Sequence, residues 1–260
     1  MQLIDSHCHI DNEKYTETPE EIAIKAKSHG VKAMINVGYD LNSSKNAVKL
    51  SVKIPQLYSA VGIHPHDAKK APTGYLNQLA ELTKNQKVVA LGEIGLDYHY
   101  NFSSPEIQKK VFKEQLQLAY DLDIPFIIHQ REAVGDMLEI IKRFPKPPQK
   151  AVFHCFSGSS ELAKELITMG YYISVGGPVT FKNAKKPKQV AKDISLENLL
   201  VETDCPYLTP HPFRGKTNYP HYVKYVVEEI AAIKGISKEE VASKTLENTE
   251  QLFGMKVNSL

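Results

Sequence analysis

Short β-branched runs alternate with longer helical patterns along almost the whole chain, and this alternation limits the fold more than any single motif does. The strand candidates are "LIDSHCHI" from Leu3, "AMINVGY" from Ala33, "YSAVGIHP" from Tyr58, "VVALGEIGLD" from Val88, "IPFIIHQR" from Ile124, "AVFHCFSG" from Ala151, "YYISVGG" from Tyr171 and "LLVETDCPYL" from Leu199. Between them lie amphipathic stretches such as "TPEEIAIKAKSHG", where Pro19 stands early and Gly30 closes the segment, the normal order for a helix. Eight strands each followed by helix predict a parallel TIM-like (β/α)8 barrel, with "NYPHYVKYVVEEIAAIKG" and "SKEEVASKTLENTEQLFG" as C-terminal helices. A doubly wound open sheet is the alternative. With 260 residues, 42% of them hydrophobic, the chain is expected to form one domain over 1–260, since no low-complexity or Gly/Ser-rich linker interrupts it.

In such barrels chemistry gathers where the strands end, so the residues there carry the functional information. The first strand ends in His7 and His9, the third in His64, the fourth carries Glu93, the fifth His129, the sixth His154 and the eighth Asp204. On an extended strand, residues two apart share a face, which brings His7 and His9 within about 6 to 7 Å of each other. Each histidine alone reads as a packed or solvated side chain; their common location points to metal. Four imidazoles and two carboxylates exceed the three protein ligands of one open catalytic site, so two divalent ions are expected. His7, His9 and Asp204 would hold one, His129 and His154 the other, with Glu93 bridging through its two oxygens. Such a pair activates water for hydrolysis. Asp204 is expected to take the water's proton as general base, and Glu202, deeper on the same face, to orient ligand histidines.

Three cysteines, Cys8, Cys155 and Cys205, are too few and too widely spaced for a disulfide framework. Strand alternation turns each away from its metal-ligating neighbour, so they are expected to pack outward as small core residues. No basic n-region precedes a long apolar segment and no run of 18 apolar residues occurs, which makes a cytoplasmic location the expectation. Lys plus Arg of 32 against Asp plus Glu of 30 gives a net charge of +2, so any anion binding must be local.

The segments "DSHCHID", "VGIHPH", "GEIGLDYH", "IIHQREA", "FHCFSG" and "VETDCPYLTPHPFRGKTNYP" together resemble the TatD family of metal-dependent deoxyribonucleases, in the amidohydrolase superfamily. The resemblance runs from Leu3 to about Leu252, with the motifs in the family's order and spacing. It implies a TIM-like barrel, a divalent-metal centre at His7, His9, Glu93, His129, His154 and Asp204, and hydrolysis of DNA from a 3′ end. Many binuclear members of the superfamily bridge their metals with a carbamylated lysine on the fourth strand. Here "ALGEIGLD" has none, and Glu93 supplies a permanent carboxylate.

Phosphodiester hydrolysis also needs donors for non-bridging oxygens and a cationic rim. His64 and His66 in "IHPHD", Arg131 in "HQREA", and Arg214 with Lys216 in "HPFRGK" are the candidates, and the resemblance adds Asn218 and further weight for Arg214. Tyr98, Phe156, Tyr207 and Phe213 flank strand ends and are expected either to stack an exposed base or to pack the rim. A narrow barrel mouth admits a single-stranded end more easily than an internal duplex bond, so an exodeoxyribonuclease on single-stranded DNA is expected, with the 3′–5′ polarity implied by the resemblance alone and without an obligate protein partner. The competing readings are a metal-dependent esterase or deacylase acting on a small ester, lactone or aminoacyl-tRNA, and a non-catalytic metal-stabilised binding module. Imidazole-rich sites favour Zn or Mn over Mg, and all three ions stay open at this point.

Overall fold

Each of the eight expected runs becomes a strand, and each strand is followed by helix. In chain order the elements are β1 (Leu3–Cys8), α1 (Pro19–Ser28), β2 (Val31–Val37), α2 (Leu41–Lys53), β3 (Leu57–Val61), α3 (Tyr75–Leu82), β4 (Val88–Asp97) and α4 (Pro105–Asp121). They continue as β5 (Phe126–Arg131), α5 (Val134–Arg143), β6 (Ala151–Phe153), α6 (Ser160–Thr168), β7 (Tyr172–Val175), α7 (Lys185–Asp193), β8 (Leu199–Val201), α8 (Val223–Lys234) and α9 (Lys238–Phe253). The computed structural model describes residues 1–100, 102–144 and 151–257; residues 101, 145–150 and 258–260 of the expected 1–260 unit lie outside the described residues. Local signals are used as the sequence suggests. Thr18 and Glu21 form a reciprocal capping box at the start of α1, with Pro19 in its first turn, and Gly30 follows its end at φ +90°.

All strand pairs are parallel and follow sequence order from β1 to β8. The sheet then curls back on itself. The backbones of Cys8 and Cys205 pair as an isolated parallel β-bridge, the Asp204 N–H donates to the His7 carbonyl (3.0 Å) and the His9 N–H to the Cys205 carbonyl (2.8 Å). These bonds exclude the open-sheet alternative, and they put the closing seam between the two segments that carry His7, His9 and Asp204.

Two apolar layers stabilise the barrel. Ile4, Ala33, Ile35, Ala90, Ile127, Val152 and Leu200 fill its interior, joined by Leu252, Phe253, Met255 and Val257 at the end of α9. The outer faces of the strands pack on the helices through residues such as Met34, Leu91, Ile94, Phe126 and Phe153. Full burial of one such aliphatic or aromatic side chain contributes about 1.5–3 kcal/mol. The interior is therefore a packed core, which leaves the strands' C-terminal end as the place where side chains can meet a ligand.

Plain alternation does not explain how the candidate ligands reach that end. Counting by twos from the inward Ile4 sends His7 outward, and counting from Ala90 does the same to Glu93. The pairing of β1 with β2 is irregular between Asp5 and Cys8, and that of β4 with β5 between Leu91 and Ile94. Beyond each irregularity the facing is reversed: Cys8, Ile94 and Leu96 pack in the outer layer, so His7, Glu93 and Asp97 turn inward. Bulges at barrel rims commonly re-aim side chains in this way. Gly95, at φ +145° beside His129, completes the device, because a Cβ there would collide with the His129 backbone carbonyl.

β6 and β8 are shorter than expected, ending at Phe153 and Val201, so His154, Glu202 and Asp204 lie past the ladder. Cys155 (φ +42°) and Asp204 (φ +53°) adopt left-handed backbone that no strand could contain. Release from the ladder is what lets these segments bend their side chains over the mouth.

Candidate metal centre

The seam brings His7, His9 and Asp204 together. The Nε2 atoms of His7 and His9 are 3.3 Å apart, and Asp204 Oδ1 lies 3.9 Å and 3.6 Å from them respectively. His9 donates Nδ1–H to the Val37 carbonyl (2.8 Å), which leaves its Nε2 lone pair facing the site. Across the mouth, His129 Nδ1 sits 2.6 Å from Glu93 Oε1 and 3.1 Å from His154 Nε2, which touches the same oxygen. His129 Nε2 is turned away and donates to Asp97 Oδ2 (3.0 Å). The other oxygen of Glu93 is 3.5 Å from His7 Nε2, so one carboxylate spans both groups.

This donor set fits metal. His9 and His129 have their outward ring nitrogen hydrogen-bonded, Nδ1 of His7 and of His154 is buried without a hydrogen-bond partner among the described residues, and the inward nitrogens of all four converge at close range, an arrangement that only protons or cations between them make favourable. His7, His9 and Asp204 present ligand atoms close enough to share one ion, as do His7, His154 and Glu202, and His64, Glu93 and His129. The electrostatics agree. Burial alone would raise Glu93, but His154, His64 and His129 outweigh it and hold the carboxyl well below its ordinary range. Burial disfavours charge on His9, yet Asp204 and Glu93 raise it to about 9; His129 and His154 are raised against burial by their own carboxylates. Without a metal, protons are held where cations would sit.

His64, expected to touch substrate, reaches into the same cluster, 3.7 Å from Glu93 Oε1 through Nε2. Its Nδ1 accepts from the His66 N–H (3.1 Å), and burial keeps the ring neutral. Nε2 therefore carries the proton, so in this arrangement His64 faces Glu93 as a donor, although its ring also lies close enough to Glu93 and His129 to share an ion with them. Arg131, at the end of β5, lies half-buried with its guanidinium 5.0 Å over the Tyr100 ring, and Arg214 is exposed, 3.8 Å over Phe181. Asn218 does not meet its expectation. It is fully buried, its amide donates to the Thr203 and Tyr207 carbonyls (2.9 and 2.6 Å), and its oxygen accepts the Tyr219 N–H, so it pins the loop after β8, with both amide hydrogens used and no surface open to a substrate.

Glu202 stands 3.5 Å from His154 Nδ1 and accepts from Ser174 Oγ (2.6 Å), which matches an orienting role. Cys8 and Cys205 are buried in the outer layer as expected, while Cys155 is half-exposed off the end of β6, where strand alternation no longer applies. Among the aromatics, Tyr207 is exposed. Tyr98 is bonded to Asp136, Phe156 is buried, and Phe213 stacks on Tyr222. Sequence reasoning missed Asp97, Tyr100 and Phe102. Asp97, almost fully buried, holds His129, lies 3.0 Å from His66 Nε2 and accepts the His99 and Tyr100 N–H groups; burial would raise it, but these partners keep it low. Its signal was present as a carboxylate two residues after Gly95 on the face of Glu93. Tyr100 and Phe102 stack on each other, both strongly exposed, with His66 edge-on to each.

Among the described residues no helix is long and apolar enough to cross a membrane. Residues 4–254 match the family model of TatD related DNases. YabD of Bacillus subtilis, an uncharacterized metal-dependent hydrolase, is 47% identical over 96% of this chain and 98% of its own length; YcfH of Escherichia coli, described in the same words, is 35% identical over 100% and 98%. The crystal structure of YjjV, a TatD homolog from Escherichia coli, superposes with a TM-score of 0.92 at 32% identity, covering 98% of each chain. A TatD family hydrolase from Entamoeba histolytica follows with a TM-score of 0.86 at 26% identity over 97% of this chain and 98% of that one. Matched along nearly its whole length by family, relatives and fold, this chain belongs to the TatD family of metal-dependent hydrolases.

Proposed function

We propose that the chain is a divalent-metal-dependent nuclease that shortens single-stranded DNA from its 3′ end. The observation that carries this reading is Glu93, which offers one oxygen to His7 and the other to His129 and His154, and so joins two donor groups as a bridge between two ions of Zn, Mn or Mg would. When bound, such ions lower the pKa of water and neutralise charge on a leaving oxygen. Asp204, half-buried at the mouth, accepts the proton of the attacking water on its carboxylate and returns it to the departing 3′ oxygen. His64 donates Nε2–H to a non-bridging phosphoryl oxygen, while Arg131 and Arg214 hold neighbouring phosphates. Tyr100, Phe102 and Tyr207, exposed at the rim, offer faces to unstacked bases. The packed interior favours a chain end over an internal bond, and polarity is taken from the family. Free thiols at Cys8, Cys155 and Cys205 suit the cytoplasmic setting we propose.

The test is a pair of time courses on matched linear and covalently closed single strands, with 5′-labelled DNA to read polarity. Linear strands should shorten from the 3′ end while circles persist. Circles cut as fast as linear strands would remove end entry. Cleavage of neither, alongside rapid hydrolysis of a lactone or aminoacyl ester, would move the function to the esterase or deacylase reading.

A further inference from the structure

Charge is unevenly spread around the mouth. The connections that follow β1, β2 and β3 carry the exposed Glu13 and the half-buried Asp11, Glu17, Asp40 and Asp67 among a few lysines. The connection from β7 into the first turn of α7, and the long one from β8 to α8, which meets the β1 connection at the seam where Tyr219 donates to Glu17 (2.9 Å), carry Lys182, Lys185, Lys186, Arg214 and Lys216, all exposed. The only carboxylates on those two connections are Glu202 and Asp204, which face the metal centre.

These cations form one surface and not two. Arg214 lies over Phe181, and the His211 N–H donates to Thr180 Oγ1 (2.8 Å), so the two connections are fastened together. None of the five has an ion-pair partner among the described residues, whereas Lys188, one turn further along α7, pairs with Glu229 at 2.8 Å. The first turn of α7 contains no acidic residue, and Lys185 and Lys186 stand at the helix end whose dipole opposes them. Local stability does not account for lysines there; a polyanion lying across the rim does.

We propose that this rim is the track for the phosphates of single-stranded DNA whose end occupies the metal centre, engaging nucleotides beyond the bond being cut. The inference rests on the nuclease reading and adds the path of the strand: over the β7 and β8 connections, where exposed cations have no carboxylate partner among the described residues. Each lysine that meets a phosphate displaces condensed counterions, so the track should appear in the salt dependence of binding.

The experiment uses metal-free protein and an end-labelled single strand of about twenty nucleotides, a length that covers the mouth and leaves phosphates over the rim. One variant carries Lys182→Glu, Lys185→Glu and Lys186→Glu. Acidic residues suit the start of a helix, so α7 should remain folded. A control carries Lys27→Glu, Lys32→Glu and Lys53→Glu, the same charge change at the opposite end of the barrel. The rim variant should bind about tenfold more weakly, with the slope of log affinity against log salt reduced by about 2, at roughly 0.7 per lost contact, and the control should match wild type. With metal restored, the preference for the long strand over a dinucleotide, read as the ratio of kcat/KM values, should fall in the rim variant alone. Equal weakening in both variants, or none in either, overturns the track while the nuclease reading stands on wild-type cleavage. A wild type that neither binds nor cleaves single strands overturns both.

Discussion

The two halves of the candidate metal centre position their imidazoles by different means. On the seam side, His9 is aimed by the Val37 carbonyl, and Asp204 and His9 are tied across the seam by backbone N–H donors. On the β4–β6 side the orienting groups are carboxylates: Asp97 behind His129 and Glu202 beside His154. A backbone carbonyl fixes a ring and its tautomer without adding net charge. A buried carboxylate does the same and also makes the imidazole a stronger donor. The seam half should therefore resist side-chain substitution behind its ligands, and the β4–β6 half should bind its ion more tightly but depend on single side chains.

The largest effects should come from removing groups that face the mouth directly. Asp204→Asn should keep most of the metal, because the amide oxygen still coordinates, yet lower kcat by about a hundredfold or more through loss of the proton acceptor. His9→Ala should instead reduce the metal-to-protein ratio by one ion with thermal unfolding nearly unchanged. Wild-type turnover in Asp204→Asn would remove Asp204 as the proton acceptor, and full metal content in His9→Ala, measured by elemental analysis, would mean the seam half is not part of a metal site.

Asp97→Asn separates the halves. Losing the carboxylate behind His129 should weaken one ion by about 10- to 100-fold, the usual cost of removing an outer hydrogen-bond partner, and leave the second ion in place. No single side-chain change behind His9 can reproduce this, since its partner is main chain. If Asp97→Asn releases both ions equally, Glu93 couples the halves too strongly for the distinction to hold. A chelator titration of the wild type is a gentler probe: the seam ion should leave first, seen as two resolved steps in metal release.

The positions of the strands were legible from the alternation of β-branched runs with helical patterns, and all but the second and seventh runs end in the side chains that matter, from His7 to Asp204. Their facing was legible only in part. Period-two counting places His129 from Ile127; His154 and Asp204 lie past the ends of their strands and are aimed by the bent backbone there, and the count fails for His7 and Glu93, where pairing irregularities reverse the face. Such irregularities arise from how neighbouring strands meet, which one strand's sequence does not specify. The same limit hid Asp97, whose role depends on contact with a ring 32 residues away, and misplaced Asn218, whose partners are backbone carbonyls of its own loop. Motifs identify the chemistry at a position, whereas the hydrogen bonds behind it are set by the closed barrel.

The smallest expected effect lies within the opening segment itself. Cys8 sits between His7 and His9, yet its side chain packs in the outer layer and its thiol donates to the Ile35 carbonyl at 3.3 Å. If the irregularity in β1 holds the two histidines on the mouth side and the cysteine opposite, Cys8→Ala removes only a small buried group and a weak hydrogen bond. It should cost about 1 kcal/mol of stability, measured by denaturant unfolding, with metal content and turnover unchanged. The contrast with His9→Ala, one residue away, is what gives the measurement its force. One substitution should change stability and spare the metal, and the other should do the reverse. A clear loss of metal in Cys8→Ala would show that the seam half depends on side-chain packing behind its ligands after all, and the difference between the halves would narrow to the charge on Asp97 and Glu202.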